Sequence, residues 1–139
     1  MKGQYLSVEW VLFFAIGVAM VVLVYTTFSM ISNTVRETSA SIQLQQTGEL
    51  IRGYIINTFE ASNSSDSYIE YNLSLPSRLS NCIYAITVID DKLNINCTDN
   101  YKIGSVLSLY GINTEISNII YSTNEKIEIV ANGEVVELL

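Results

Sequence analysis

The sequence contains no histidine and few charged residues. Charged side chains make up 15% of the 139 residues, against roughly 25% in soluble domains, which indicates a membrane segment or an extensively buried surface. The absence of histidine removes the commonest general base and the commonest metal ligand. With 14 acidic and seven basic residues, the chain has no electrostatic basis for binding nucleic acid. We expect no metal, no cofactor and no nucleic-acid partner.

Cysteine, proline and glycine are also scarce. Two cysteines are too few for a four-thiolate zinc site, and one proline with seven glycines excludes collagen-like and proline-rich linker architectures. The chain has no nucleophile elbow and no glycine-rich phosphate loop, and Asp90 and Asp91 are interpreted as solvated turn residues. We therefore expect a protein that is not an enzyme, with one small domain and an appendage.

The appendage is an apolar run near the N-terminus. Trp10–Ile31 contains 22 residues without a charge, and a helix of this length reaches about 33 Å, enough to cross a bilayer. Trp10 and Tyr25 lie near its ends, where amphipathic rings prefer the headgroup level. Gly17 and Ala19 are small enough to admit a neighbouring helix. The alternative is a buried core helix.

The flanks of the apolar run predict its orientation. Lys2 and the amino terminus precede it, whereas Arg36 beyond it is followed by Glu37. This asymmetry predicts a single-pass membrane protein with its C-terminal domain outside. An ordinary secretory signal would have a shorter apolar core, and the possible cleavage site at residues 38–40 lies well past the apolar end.

Glu9 is a carboxylate at the entrance to the apolar helix. A carboxylate there is costly unless it stays at the interface or finds a cation. In a helical filament, the cation would be the new N-terminal amine of an adjacent subunit, exposed by removal of a leader. The alternative is that Glu9 lies at headgroup level, favoured by the dipole of the helix N-terminus.

The first ten residues resemble the class III leader of archaeal type IV pilins and archaellins. The matching residues, in kind and order, are Lys2, Gly3, Gln4, Ser7 and Glu9. The resemblance implies a processing site formed by Lys2, Gly3, Gln4 and Tyr5, which a prepilin peptidase cuts. One extra residue separates Gln4 from Ser7, so both a cut after Gly3 and a cut after Gln4 remain open.

This resemblance implies a function. The chain would be a pilin-like subunit of an archaeal cell-surface filament, either a type IV pilus or a related appendage. After leader cleavage it would assemble with copies of itself or other pilins through its hydrophobic helix, and so move from the cell membrane to an extracellular filament. The alternative is a single-pass membrane-anchored binding or adhesion domain that does not polymerise, or an archaellum accessory protein.

Helical spacing continues beyond the apolar run. The apolar positions are Ile31, Val35, Ile42, Ile51, Tyr54, Ile55 and Phe59, with a looser patch at residues 44–47. They predict one stripe on a helix from about Ser7 to Phe59, and the alternative is two helices broken near Asn33 or Gly48. The predicted organisation is a leader (1–4), an assembly helix (5–31), an amphipathic stem helix (32–60) and an extracytoplasmic β domain (61–139).

The remaining sequence predicts short strands after a loop at Ala61–Ser67. Strands are expected at residues 68–75, 83–89, 93–98, 126–131 and 134–138, and two further apolar runs lie between residues 101 and 121. Asn132-Gly133 suits a type I′ hairpin turn. The predicted fold class is α+β, a long N-terminal helix followed by a small antiparallel sheet or β-sandwich.

Two kinds of covalent feature are expected in this domain. Cys82 and Cys97 lie across the turn at residues 90–92, so a disulfide is expected outside the cell, with two buried free thiols as the alternative. The sequence Asn-x-Ser/Thr occurs at three glycosylation candidates, Asn63, Asn72 and Asn96, and Asn63 is favoured because it lies in the expected loop.

Overall fold

A computed structural model describes the backbone of residues 2–139 and the side chains of residues 8–139. It divides into two compact units, Met1–Arg36 and Glu37–Leu139. One long helix, α1 (Lys2–Ser65), is followed by eight strands, and the predicted α+β class is confirmed. The strands are β1 (Ile69–Ser74), β2 (Tyr84–Ile89), β3 (Lys92–Cys97), β4 (Gly104–Ser108), β5 (Thr114–Ile116), β6 (Ile120–Tyr121), β7 (Lys126–Ala131) and β8 (Val136–Leu138).

Helix α1 is continuous through Asn33 and Gly48, which decides against two broken helices. It ends later than predicted, and the loop expected at Ala61–Ser67 is wrong. Ser62 is buried, and its hydroxyl donates to the Ser67 carbonyl at 2.7 Å. This contact closes the last turn over the core, and the left-handed backbone of Asp66 (φ 46°) then ends the helix.

The strands form two four-stranded sheets. The first sheet has the order β1-β7-β8-β5 and the second sheet has the order β4-β3-β2-β6. Neighbouring strands are antiparallel except β5 and β8, which are parallel. Strand β2 lies between β3 and β6, as its unbroken apolar sequence predicts for an interior strand. The antiparallel character predicted from the sequence is confirmed, and the parallel pair was not foreseen.

The two predicted turns differ in geometry. Ile89 pairs with Lys92, and the two residues between them, Asp90 and Asp91, both have positive φ (48° and 55°), as a type I′ turn requires. The hairpin at Asn132-Gly133 is confirmed, but its predicted type I′ turn is wrong. Ala131 pairs with Val136, which leaves a four-residue loop, and within it only Gly133 has positive φ (90°). The Asn132 side-chain oxygen accepts from the backbone N–H groups of residues 134 and 135 and holds this wider loop.

The second unit has one apolar core shared by α1 and both sheets. The buried face of α1 recurs every three or four residues, at Ala40, Leu44, Gly48, Ile51, Ile55, Thr58 and Ser62. The predicted core positions Ile51 and Ile55 are confirmed, but Ile42 is 51% exposed and Leu44 is buried in its place. The sequence stripe was misplaced because three of the buried positions carry small residues, which a search for large apolar side chains passes over.

Gly48 lies on α1 against side chains of the second sheet. A β-carbon built on Gly48 would lie 2.5 Å from Leu107 Cδ1 and 3.1 Å from Ile95 Cδ1. Leu107 and Ile95 are both buried, so a side chain at position 48 has to displace them. The glycine is therefore a packing requirement, and it outweighs the roughly 1 kcal/mol that glycine costs in a helix.

Substitution of the two stem glycines is expected to have opposite effects. A β-carbon on Gly53 would meet nothing within 4 Å, so Gly53→Ala should raise the free energy of unfolding by about 1 kcal/mol through helix propensity. Gly48→Val should lower it by about 1–3 kcal/mol through overpacking. Chemical denaturation of the two variants beside the wild type measures both changes, and equal effects at the two positions would contradict the packing role of Gly48.

Tyr84 is the largest fully buried side chain. Its hydroxyl donates to the Pro76 carbonyl at 2.8 Å, and its backbone N–H donates to Ser122 Oγ, which in turn donates to the Ser77 carbonyl. These bonds hold the segment after β1 against the start of β2. Burial raises the pKa of the Tyr84 hydroxyl to about 12 from its ordinary value of 10.0, because the phenolate would lose its hydration.

We expect Tyr84 to reduce stability at alkaline pH. Between pH 10.0 and about 12 the unfolded tyrosine loses its proton while the folded one keeps it, so the unfolded state is favoured as the pH rises, by up to about 1.4 kcal/mol per pH unit. Below pH 10 this contribution is constant. Denaturant titrations between pH 9 and 12 should show a steeper loss for the wild type and for Tyr68→Phe, an exposed control, than for Tyr84→Phe. Parallel curves for all three would contradict the assignment.

Candidate functional site

The apolar segment of the first unit is exposed on every side of the helix. Its most exposed side chains are Trp10 (72%), Phe14 (75%), Tyr25 (74%), Phe28 (72%) and Met30 (71%). By length and composition the helix from Val8 onward is able to cross a membrane, and none of its most apolar stretch is buried within the chain. The segment is therefore not a core helix of this chain. A helix that is apolar all round needs cover from lipid or from other protein.

Three threonine hydroxyls at and just beyond the far end of the segment donate to carbonyl groups of the helix itself. Thr26 and Thr27 donate their side-chain hydroxyls to the Leu23 carbonyl at 3.0 and 2.7 Å. Thr34 donates to the Met30 carbonyl at 3.1 Å in the same way. These internal bonds lower the cost of placing the hydroxyls in an apolar environment.

The surface of the segment is grooved in a way that suits helix packing. Two shallow apolar grooves of about 440 and 340 Å³ lie side by side and share Val24 and Phe28 in their linings. A β-carbon on Gly17 would meet nothing within 4 Å, which leaves a notch in the helix surface. Side chains of a second helix fit such grooves and notches by ridges-into-grooves packing.

Glu9 is exposed one residue before Trp10. Its carboxylate is therefore free to meet a cation of another molecule or solvent at the start of the apolar segment. The predicted processing residues Lys2, Gly3, Gln4 and Tyr5 lie outside the residues whose side chains the structure describes.

Comparison with protein-family models, with curated proteins and with solved structures found no match to this chain.

The second unit contains the predicted disulfide. Cys82 and Cys97 are bonded, with their α-carbons 5.8 Å apart, and both are buried. Cys97 ends β3 and Cys82 lies just before β2, so the bond closes the open end of the β2–β3 hairpin. The alternative of two free thiols is wrong.

The three glycosylation candidates lie in different surroundings. Asn63 is exposed in the last turn of α1 rather than in the loop expected from the sequence. Asn72 is exposed on β1, and its amide donates to a Glu70 carboxylate oxygen at 3.3 Å. Asn96 is half-buried on β3. Exposure therefore favours Asn63 and Asn72 over Asn96.

The sequence missed an open groove of about 610 Å³ in the second unit. Its walls come from α1 and from the β3–β4 loop, at Glu37, Thr38, Ser41, Ile42, Asn100, Lys102 and Ile103. No sequence motif could reveal it, because the fold joins segments about 60 residues apart. Among residues 8–139, no group of three His, Cys, Asp or Glu side chains is placed to hold a metal.

Proposed function

We propose that this protein is a pilin-like subunit of an archaeal cell-surface filament that assembles through its apolar helix after leader cleavage. One observation carries the proposal: the apolar segment is fully exposed while the second unit has a complete core of its own. The helix therefore contributes nothing to folding of the second unit along Val8–Ile31, and its apolar surface is available for a separate purpose.

The same surface suits two environments in turn. In the membrane, lipid covers it; in a filament, the helices of other subunits cover it. Removal of apolar area from water contributes about 25 cal/mol per Å², so exposure of the segment to water is unfavourable. Both environments avoid this exposure, and transfer from the membrane to the filament replaces lipid contacts with helix contacts. Both grooves and the Gly17 notch support helix-to-helix packing.

The proposed orientation in the membrane is supported by the charge before the helix and by the disulfide. The Cys82–Cys97 bond supports an external location for the second unit, since cytosolic proteins rarely keep disulfides. Lys2 ahead of the apolar segment supports an internal N-terminus. The two arguments are independent and agree on a single-pass orientation before assembly.

Glu9 has the proposed role of pairing with a new N-terminal amine. Cleavage after Gly3 or Gln4 would create a cation a few residues before Glu9, and the equivalent amine of an adjacent subunit would neutralise the carboxylate as the helices pack. A carboxylate without such a partner would oppose burial. While the leader is attached, that nitrogen belongs to a peptide bond and carries no charge, so Glu9 has no such partner.

Mass spectrometry of the mature N-terminus tests processing. We expect a chain that begins at Gln4 or Tyr5 in filaments sheared from producing cells. A bulky residue in place of Gly3 should leave the leader attached and the protein in the membrane fraction. A wild-type chain that retains Met1 or Lys2 in the membrane would instead support the fixed anchor, the non-polymerising alternative.

Replacement of Glu9 tests assembly separately from processing. Glu9→Gln keeps the shape of the side chain and removes its charge, so we expect normal cleavage and a strong loss of filaments. Glu60→Gln is the matched control, because Glu60 is an exposed carboxylate on the same helix. Negative-stain electron microscopy of sheared fractions measures the outcome, and equal filament yields from both variants would contradict the role of Glu9.

A further inference from the structure

The outward side of the second sheet has hydrogen-bond donors and no carboxylate. We call this side, formed by the outward residues of β2, β3, β4 and β6, the donor face. Strand register places Thr87, Asn94 and Val106 in one row across it, and Tyr121 and Asn96 in the next row. Lys92 is its one charged residue, and the nearest acids, Asp90 and Asp91, lie beyond the strands in the turn. The same side also has exposed apolar side chains, Val106 at 60% and Ile89 at 59%.

The outward side of the first sheet has four glutamates beside the donors Asn72, Ser74 and Lys126. We call it the acidic face. Glu137 pairs with Glu115 on one side and with Val130 on the other, and Val130 pairs with Glu70, so three glutamates share one row. Glu128 lies two residues from Val130 on the same side, and Lys126 is the one base on this face.

The two faces complement each other between copies of the chain. Two acidic faces brought together would repel, because like charges across an interface cost several kcal/mol. The donor face instead offers amide, hydroxyl and ammonium groups, which are the partners that carboxylate oxygens accept from. Both faces point away from the shared core, so each is open to a second copy.

We propose that in the filament the donor face of one subunit docks on the acidic face of the next subunit. This inference rests on the proposed function. Because the contact joins two different surfaces, it is heterologous, and repetition of a heterologous contact gives an open-ended assembly and not a closed dimer. The β domains would then add a directional contact to the packing of the apolar helices.

Opposite charges at Val106 test the contact. Val106 is 60% exposed on the edge strand β4, so Val106→Glu and Val106→Lys should both fold, and non-reducing mass analysis and thermal unfolding confirm it. With the full chain in producing cells, we expect Val106→Glu to reduce filament yield about tenfold or more through repulsion by the acidic face. Val106→Lys, a side chain of similar length, should keep wild-type yield.

The possible outcomes separate this inference from the proposed function. Wild-type yield from Val106→Glu would contradict the docking of the donor face while leaving filament formation intact. Equal loss from both variants would show an interface at β4 whose partner is not acidic, which also overturns the proposal. Absence of filaments from wild-type cells that have processed the chain would contradict the proposed function itself. Restoration of filaments when Glu137→Lys is added to Val106→Glu would identify the facing surface directly.

Discussion

Replacement of both Cys82 and Cys97 by serine is expected to lower the free energy of unfolding of the second unit by about 3 kcal/mol. The bond closes a loop with a sequence separation of 15, and cross-linking a loop of that length removes about 3 kcal/mol of conformational freedom from the unfolded chain. The domain is small, and a total stability of about 5–15 kcal/mol is usual for a whole protein. The loss is therefore a large fraction of what holds the domain together.

The disulfide also restrains the segment between β1 and β2, so its removal destabilises that segment as well. Cys82 follows the tight turn at Ser80-Asn81, where both residues have positive φ (46° and 70°), and Ser80 donates to the Gln43 side chain on α1 at 2.9 Å. Without the disulfide, the segment between β1 and β2 is fixed by hydrogen bonds, among them this one, the contacts of Tyr84 and the backbone pair between Leu79 and Cys82.

Urea unfolding followed by circular dichroism measures the difference. The wild type treated with reductant should resemble the double serine variant, and Ser80→Ala is a control that removes a contact of the same segment while keeping the disulfide. A double variant within 1 kcal/mol of the wild type would contradict a stabilising role for the bond.

Removal of residues 1–36 is expected to leave a soluble, folded domain and to abolish the membrane association that we propose for the full chain. The division into Met1–Arg36 and Glu37–Leu139 follows the chemistry: the first unit has the exposed apolar side chains and the second has the buried core. Truncation before Glu37 therefore removes the surface that lipid or other helices must cover, and it removes no residue of the core.

Fractionation with an alkaline wash distinguishes the two forms. The full chain should stay with the membranes or with filaments, and the truncated chain should remain in the supernatant with its disulfide formed and its thermal unfolding midpoint within a few degrees of the full chain. As a control within the full chain, Val21→Arg places a charge in the middle of the span, at a cost of about 2.5–3.5 kcal/mol to membrane insertion. A full chain that is monomeric in water without detergent would contradict the membrane and assembly roles of the helix.

The sequence misplaces the buried side of the stem helix for one physical reason. The large apolar side chain of Ile42 places it in the predicted stripe, whereas Leu44 falls in the looser patch at residues 44–47. In the structure the stem packs through Ala40, Leu44 and Gly48 because small residues let the helix approach the second sheet. Closeness of approach depends on what lies opposite, and this is not visible in a single segment.

The turns show the same limit. Asn132-Gly133 has the stronger type I′ composition, but the tight two-residue turn forms at Asp90-Asp91. At residues 132–135 the register of β7 on β8 leaves four residues in the loop, and register is set by which side chains reach the core.

The sequence by itself determined the features that depend on local composition: the length of the apolar helix and the alternating strands. These follow from periodicity and residue type, which act over a few neighbours. Only the tertiary structure decided the parallel pairing of β5 with β8, the buried side of the stem, and the row of glutamates across the first sheet. Those features bring together residues far apart in the chain, and the packing of a shared core selects them.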